Sequence, residues 1–133
     1  MKIFIDTNIF LDLILQREGY KDAVQILNDC ANKTFDGHVS DVTLLNIDYI
    51  ANKQVKHTKK FIKTIVDVMA VLGADNHVFT SSLEIDNVDL EDNVQYICAI
   101  ESNCEVIVSN DKKFYRGEVE VLCSAEFVQR YIK

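Results

Sequence analysis

Apolar residues fall along this chain in short runs that alternate with longer, helically spaced stretches. Lys2-Ile3-Phe4-Ile5-Asp6 reads as a short strand of bulky residues running into a carboxylate. Thr7 and Asn8 then supply helix-capping chemistry ahead of Ile9, Leu11, Leu13, Ile14 and Leu15. Residues 20–31 carry helical spacing through Ala23, Val24, Ile26 and Leu27. Gly37-His38-Val39-Ser40 reads as a second strand, after which Ser40 or Asp41 caps a helix bearing Val42, Leu44, Leu45, Ile47, Tyr49 and Ile50. Residues 56–72 predict an amphipathic helix with Phe61, Ile62, Ile65, Val66, Met69 and Leu72 inward and Gly73 as its C-cap. Val78-Phe79-Thr80 reads as a third strand and residues 90–102 as a helix. Glu105-Val106-Ile107-Val108-Ser109 is the strongest strand signal in the chain. A strand over 118–122 and a helix over 125–132 close it.

Short apolar strands separated by helices predict βαβ units. The expected architecture is α/β, in three layers, with a central, mostly parallel sheet of four to five strands flanked by helices. Dividing 133 residues would leave each half short of core, so a single domain over 1–133 is expected, and 48% hydrophobic residues suffice for its interior. There is no internal repeat and no low-complexity tract. Ile3-Phe4-Ile5 is too short for a signal-peptide core, and no stretch approaches the ~20 apolar residues of a membrane span, which predicts a soluble cytoplasmic protein without a membrane partner. Cys30, Cys98, Cys104 and Cys123 form no CxxC pair and have no His at zinc-ligand spacing; they read as reduced, mostly buried thiols.

The formal charge of −7 narrows the function. A protein that holds nucleic acid through its phosphates alone carries a basic stripe. An acidic chain either has another partner or gathers its acids where a cation sits. In open parallel sheets the ligand crevice lies beyond the carboxyl ends of the strands. Asp6 ends the first strand, and Asp111 follows the strongest one by two residues. Asp89 and Asp92, three apart at the start of a helix, share one face. Each also has an ordinary structural reading: Asp6 as an N-cap, the Asp89-Leu90-Glu91-Asp92 acids as complements to a helix dipole, Asn110-Asp111 as a turn. The dipole reading suits Glu91 best. Asn46 and Asp48 lie two apart on the helix after the second strand, about 200° around from each other, and cannot both reach one site.

The joint order of these residues is specific. It resembles the PIN-domain ribonucleases, including the toxin halves of VapBC-type toxin–antitoxin pairs. The likeness runs essentially end to end. It is carried by Asp6-Thr7-Asn8 before an apolar run, by Asp89-Leu90-Glu91-Asp92-Asn93-Val94-Gln95-Tyr96, and by Val108-Ser109-Asn110-Asp111-Lys112-Lys113-Phe114. The resemblance implies that Asp6, Asp92 and Asp111 bind metal, with Asp89 an outer or occasional direct ligand. Thr7, Asn8 and Ser109 would be polar supports. The family usually places a glutamate where this chain has Asn46, which can offer an amide oxygen but no charge. A metal-dependent endoribonuclease of VapC type is therefore implied. The alternative is a catalytically weakened or inactive PIN-like module that binds RNA or protein.

Oxygen-only ligands select a hard cation, Mg²⁺ or Mn²⁺. Three aspartates more than balance one dication, so a single ion is expected until a phosphate joins. RNA would approach by way of Lys112, Lys113 and Arg116, which flank Asp111; Lys53, Lys56, Lys59, Lys60 and Lys63 read instead as a solvated helix face. A VapC-type toxin further implies an antitoxin whose Arg or Lys reaches the acidic crevice, and homodimerisation. A phosphotransferase with an aspartate nucleophile would show a second Asp two residues after Asp6, where Asn8 stands.

Overall fold

A computed structural model describes residues 1–133. Its elements run β1 (Lys2–Ile5), α1 (Thr7–Ile14), α2 (Tyr20–Ala31), β2 (Asp36–Ser40), α3 (Asp41–Ala51), α4 (Thr58–Val68), β3 (Ala70–Leu72), α5 (Asn76–Leu83), α6 (Leu90–Glu101), β4 (Val106–Val108), β5 (Glu120–Leu122) and α7 (Ser124–Tyr131). The five strands form one parallel sheet in the order β3-β2-β1-β4-β5.

The apolar runs of β1 and β4 are explained by burial on both faces. Ile3 and Ile5 pair in register with Val106 and Val108, and all four enter the core beneath α1, α2, α3, α4 and α7. Phe4 pairs with Ile107, and both enter the core on the opposite face, beneath α5 and α6. Two layers of helices thus enclose the sheet. On β2, Gly37 lets two side chains approach closely: a Cβ there would overlap the Met69 sulfur and lie 2.9 Å from the Cys30 sulfur.

Two assignments made from the pattern are corrected. The helix expected over 56–72 ends at Val68, and its last apolar residues form β3. There Ala70, Val71 and Leu72 pair with His38, Val39 and Ser40. Helical spacing continued through Met69 and Leu72, but the open edge of β2 offered a ladder of backbone bonds, and tertiary pairing overrode local preference. Gly73 consequently follows a strand and caps no helix. The strand expected at Val78-Phe79-Thr80 is part of α5, because the Asp75 carboxylate accepts the Val78 N–H at 3.0 Å and nucleates a helix there.

No helix is long and apolar enough to cross a membrane. All four cysteines are free. Burial pushes the Cys30 and Cys104 thiols up to about 12 and Cys98 to about 11, so they stay protonated and unreactive at neutral pH.

The sheet order reverses direction between β1 and β4, the switch point where open α/β sheets bind ligands. Asp6 leaves the end of β1 and its N–H donates to Val108 O at 3.0 Å; Ser109 leaves β4 and its N–H donates to Leu122 O at 2.9 Å. The acids that end these strands therefore meet at the crevice.

Candidate metal centre

A cavity of about 180 Å³ at this switch point is lined by Asp6, Thr7, Asn8, Leu11, Ile50, Asp89, Glu91, Asp92 and Asp111. Two helices begin at it. Asp6 caps α1, its Oδ1 accepting the Thr7 N–H at 2.7 Å, and Asp89 caps α6, its Oδ1 accepting the Asp92 N–H at 3.1 Å. The capping reading of both acids is borne out; the cap leaves the second oxygen of Asp89 free, whereas that of Asp6 is taken by Ser109 and Asn8. The positive ends of two helix dipoles also favour carboxylates at this place.

Oxygens of Asp89, Asp92 and Asp111 lie within 4.8 Å of one another. Asp111 accepts the Lys113 N–H on Oδ1 at 2.9 Å, which steadies it while its other oxygen makes no bond. Asp92 is only 6% exposed, and its buried Oδ2 has no hydrogen-bond partner. An orphaned buried carboxylate oxygen is costly unless a cation or proton meets it. None of the five acids lining the cavity is paired with a Lys, Arg or His. Around one Mg²⁺ with bonds of roughly 2.1 Å, ligand oxygens stand about 3 Å apart when adjacent and about 4.2 Å apart when opposite, so the trio would draw inward on an ion. The donor set fits a hard dication.

The charges press on one another accordingly. Burial raises the Asp92 carboxyl to about 8, helped by the negative charges of Asp6, Asp89, Asp111 and Glu91. Burial likewise lifts Asp6 to about 6 against the pull of its hydrogen bonds, and the charge of Glu91 adds to the rise. Asp6 stands beside the trio with both oxygens engaged: Oδ2 accepts Ser109 Oγ at 2.7 Å and Asn8 Nδ2 at 2.9 Å.

The supporting residues form a lattice behind the acids. Asn8 Oδ1 accepts the Asn110 N–H at 3.1 Å, and Asp111 donates its N–H to Ser109 Oγ at 3.1 Å. Asn110, read from sequence as an ordinary turn residue, is the hub that holds the Asp111 loop. Its Nδ2 donates to buried Asp12 at 2.8 Å, and its Oδ1 accepts the Ser124 N–H at 2.8 Å. No periodicity could have revealed that role.

A family model for the PIN domain matches residues 2–113. The chain belongs to the PIN-domain family. Its PIN domain is 29% identical to Ribonuclease VapC1 of Aquifex aeolicus over 98% of this chain and 95% of that protein. Among solved structures it is similar to VapBC2 from Rickettsia felis bound to a promoter DNA fragment (TM-score 0.71, 17% identity, 91% of this chain and 97% of that one). A toxin–antitoxin complex from Klebsiella pneumoniae is equally close in fold (TM-score 0.71, 18% identity, 92% and 97%). VapC20 of Mycobacterium tuberculosis, a toxin that cleaves the sarcin–ricin loop, is also similar, at TM-score 0.67 and 13% identity over 84% of this chain and 92% of that one.

Other expected residues of this PIN domain do not line the cavity. Asn46 is half-buried on α3, one turn before Ile50, which does line it. Asp48 is engaged by Lys59 at 3.5 Å. Lys112 and Lys113 are exposed, and Lys112 borders a neighbouring cavity of about 520 Å³ with Asp12, Glu18, Asp22, Asn110 and Ser124. Arg116 donates to Val121 O at 3.1 Å, which ties it to β5. Lys53 lies over the Tyr49 ring and Lys63 pairs with Asp67 at 2.9 Å, as a solvated helix face would. Glu91, by contrast, was read as a dipole complement and lines the cavity.

Proposed function

We propose that this PIN domain is a VapC-type toxin, a metal-dependent endoribonuclease that hydrolyses RNA phosphodiester bonds. The observation that carries the reading is the buried, unpartnered Oδ2 of Asp92 in a cavity where Asp89 and Asp111 offer oxygens within 4.8 Å. Asp89, Asp92 and Asp111 would hold Mg²⁺ or Mn²⁺, with Asp6 adding charge beside them. When bound, such an ion supplies Lewis acidity toward a phosphodiester and toward water. Asp6 is held in place by hydrogen bonds from Thr7, Asn8 and Ser109. Lys112, Lys113 and Arg116, on the segment after Asp111, draw the RNA backbone to an otherwise acidic protein. Asn46 on α3 contributes an amide at the cavity margin.

Its likeness to Ribonuclease VapC1 and to the VapC halves of toxin–antitoxin complexes supports an antitoxin partner and a homodimer, in the cytoplasm. A basic antitoxin side chain reaching these carboxylates would both neutralise the site and exclude RNA. Purified protein given single-stranded and structured RNA with Mn²⁺ should cleave it, stop on addition of EDTA, and resume when Mn²⁺ is restored. Tight RNA binding with no cleavage under any metal would mark a binding module and refute the nuclease.

A further inference from the structure

Glu91 does more than a first-turn acid that complements a dipole. Such an acid points to water; this one is hydrogen-bonded across to another helix. Its Oε2 accepts the Thr7 hydroxyl at 2.8 Å, although 84 residues separate the two. A carboxylate can only accept, so the single hydroxyl proton of Thr7 goes to Glu91. The Thr7 oxygen is then free to accept from Thr43 Oγ1, 2.9 Å away on α3. Thr43 is fully buried and Thr7 6% exposed. A relay of two buried hydroxyls, anchored in α3 and α1, therefore ends on Glu91 and holds its carboxylate at the cavity wall with Asp6, Asp89, Asp92 and Asp111. No basic side chain neutralises it. The second, independent mark of a ligand here is Asp92, which lines the same cavity, is 6% exposed and has a buried Oδ2 without a partner.

We propose that Glu91 is a further metal-site carboxylate of this protein, set by the Thr43–Thr7 hydroxyl relay, and that it supplies the charge Asn46 lacks on the α3 side of the cavity. The proposal rests on the metal-dependent reading of the site. It accounts for five acids in the lining of a cavity to which α3 contributes only Ile50. The added carboxylate strengthens the attraction for a dication directly, and fixing it in advance lowers the cost of ordering it on binding.

Glu91→Gln is nearly isosteric, keeps an oxygen to accept the Thr7 hydroxyl, and removes only the charge. Titration of the protein with MnCl₂ by calorimetry, beside Asp92→Asn and with circular dichroism to verify folding, separates the outcomes. We expect Glu91→Gln to weaken Mn²⁺ binding by at least about tenfold. Thr7→Val, which leaves the charge and removes the relay, should weaken it by a smaller factor. If Asp92→Asn loses Mn²⁺ while Glu91→Gln binds like the native protein, Glu91 is a solvated helix acid and this inference is overturned alone. If neither substitution changes Mn²⁺ uptake, the metal centre itself is wrong.

Discussion

Asp92→Asn should lower the rate of RNA cleavage by at least about 10³-fold and, in the metal-free protein, raise the unfolding temperature. The two effects come from one carboxylate. It is the most buried of the three acids within 4.8 Å of one another, and one of its oxygens has no partner. Converting it to an amide removes charge that would seat the cation, and a thousandfold loss corresponds to about 4 kcal/mol of transition-state stabilisation. Metal catalysis is commonly worth that much. The same conversion spares the metal-free protein the cost of holding this carboxyl protonated at a pH where the unfolded chain ionises it, because burial has lifted it to about 8. Single-turnover cleavage of a labelled RNA and thermal unfolding in EDTA read the two sides. A variant that keeps a tenth of native activity, or that melts below the native protein in EDTA, would exclude Asp92 from this role.

Metal-free stability should fall as pH rises from about 5 to about 8, and Mg²⁺ or Mn²⁺ should cancel the fall. Unfolded aspartate titrates near 3.9. In the folded protein Asp92 titrates at about 8 and Asp6 at about 6, so between those limits the folded state keeps protons that the unfolded chain has released. Stability then declines with pH, at about 1.4 kcal/mol per pH unit for each proton of difference. The stability due to these protonated carboxyls is complete below about pH 4 and lost as pH passes through 6 and then 8. A dication binds only the ionised carboxylates, so its stabilisation grows over the same range. At a hundred times its dissociation constant it adds about 2.7 kcal/mol. Melting curves at pH 5 and pH 8, each with EDTA and with excess MnCl₂, should show a small metal shift at pH 5 and a large one at pH 8. Equal shifts at both would mean that Mn²⁺ acts somewhere other than these acids.

Much of this was legible because parallel strands covered on both faces must be apolar throughout. Ile3-Phe4-Ile5 and Val106-Ile107-Val108 therefore announced themselves, and the acids that close or follow them marked the crevice. What the pattern concealed depended on partners distant in the chain. Ala70-Val71-Leu72 continues a helical spacing, and only the free edge of β2 makes it a strand. Phe79 and Thr80 are strand formers overruled by an Asp75 cap. Glu91 sits where first-turn acids gather anyway, and its bond to Thr7 spans 84 residues. Asp89, read from the sequence as an outer or occasional direct ligand, has an oxygen within 4.8 Å of Asp92 and Asp111, while Asp6 is engaged by Ser109 and Asn8. The long-range hydrogen bond from Ser109 to Asp6, invisible to spacing, makes that distinction.

Anomalous diffraction from crystals grown with MnCl₂ examines the centre most directly. A strong manganese peak should lie at bonding distance from Asp92 Oδ2, enclosed by the carboxylates of Asp89 and Asp111. A map with manganese only on scattered surface acids, and Asp92 Oδ2 bonded to a protein donor or buried dry, would contradict the account.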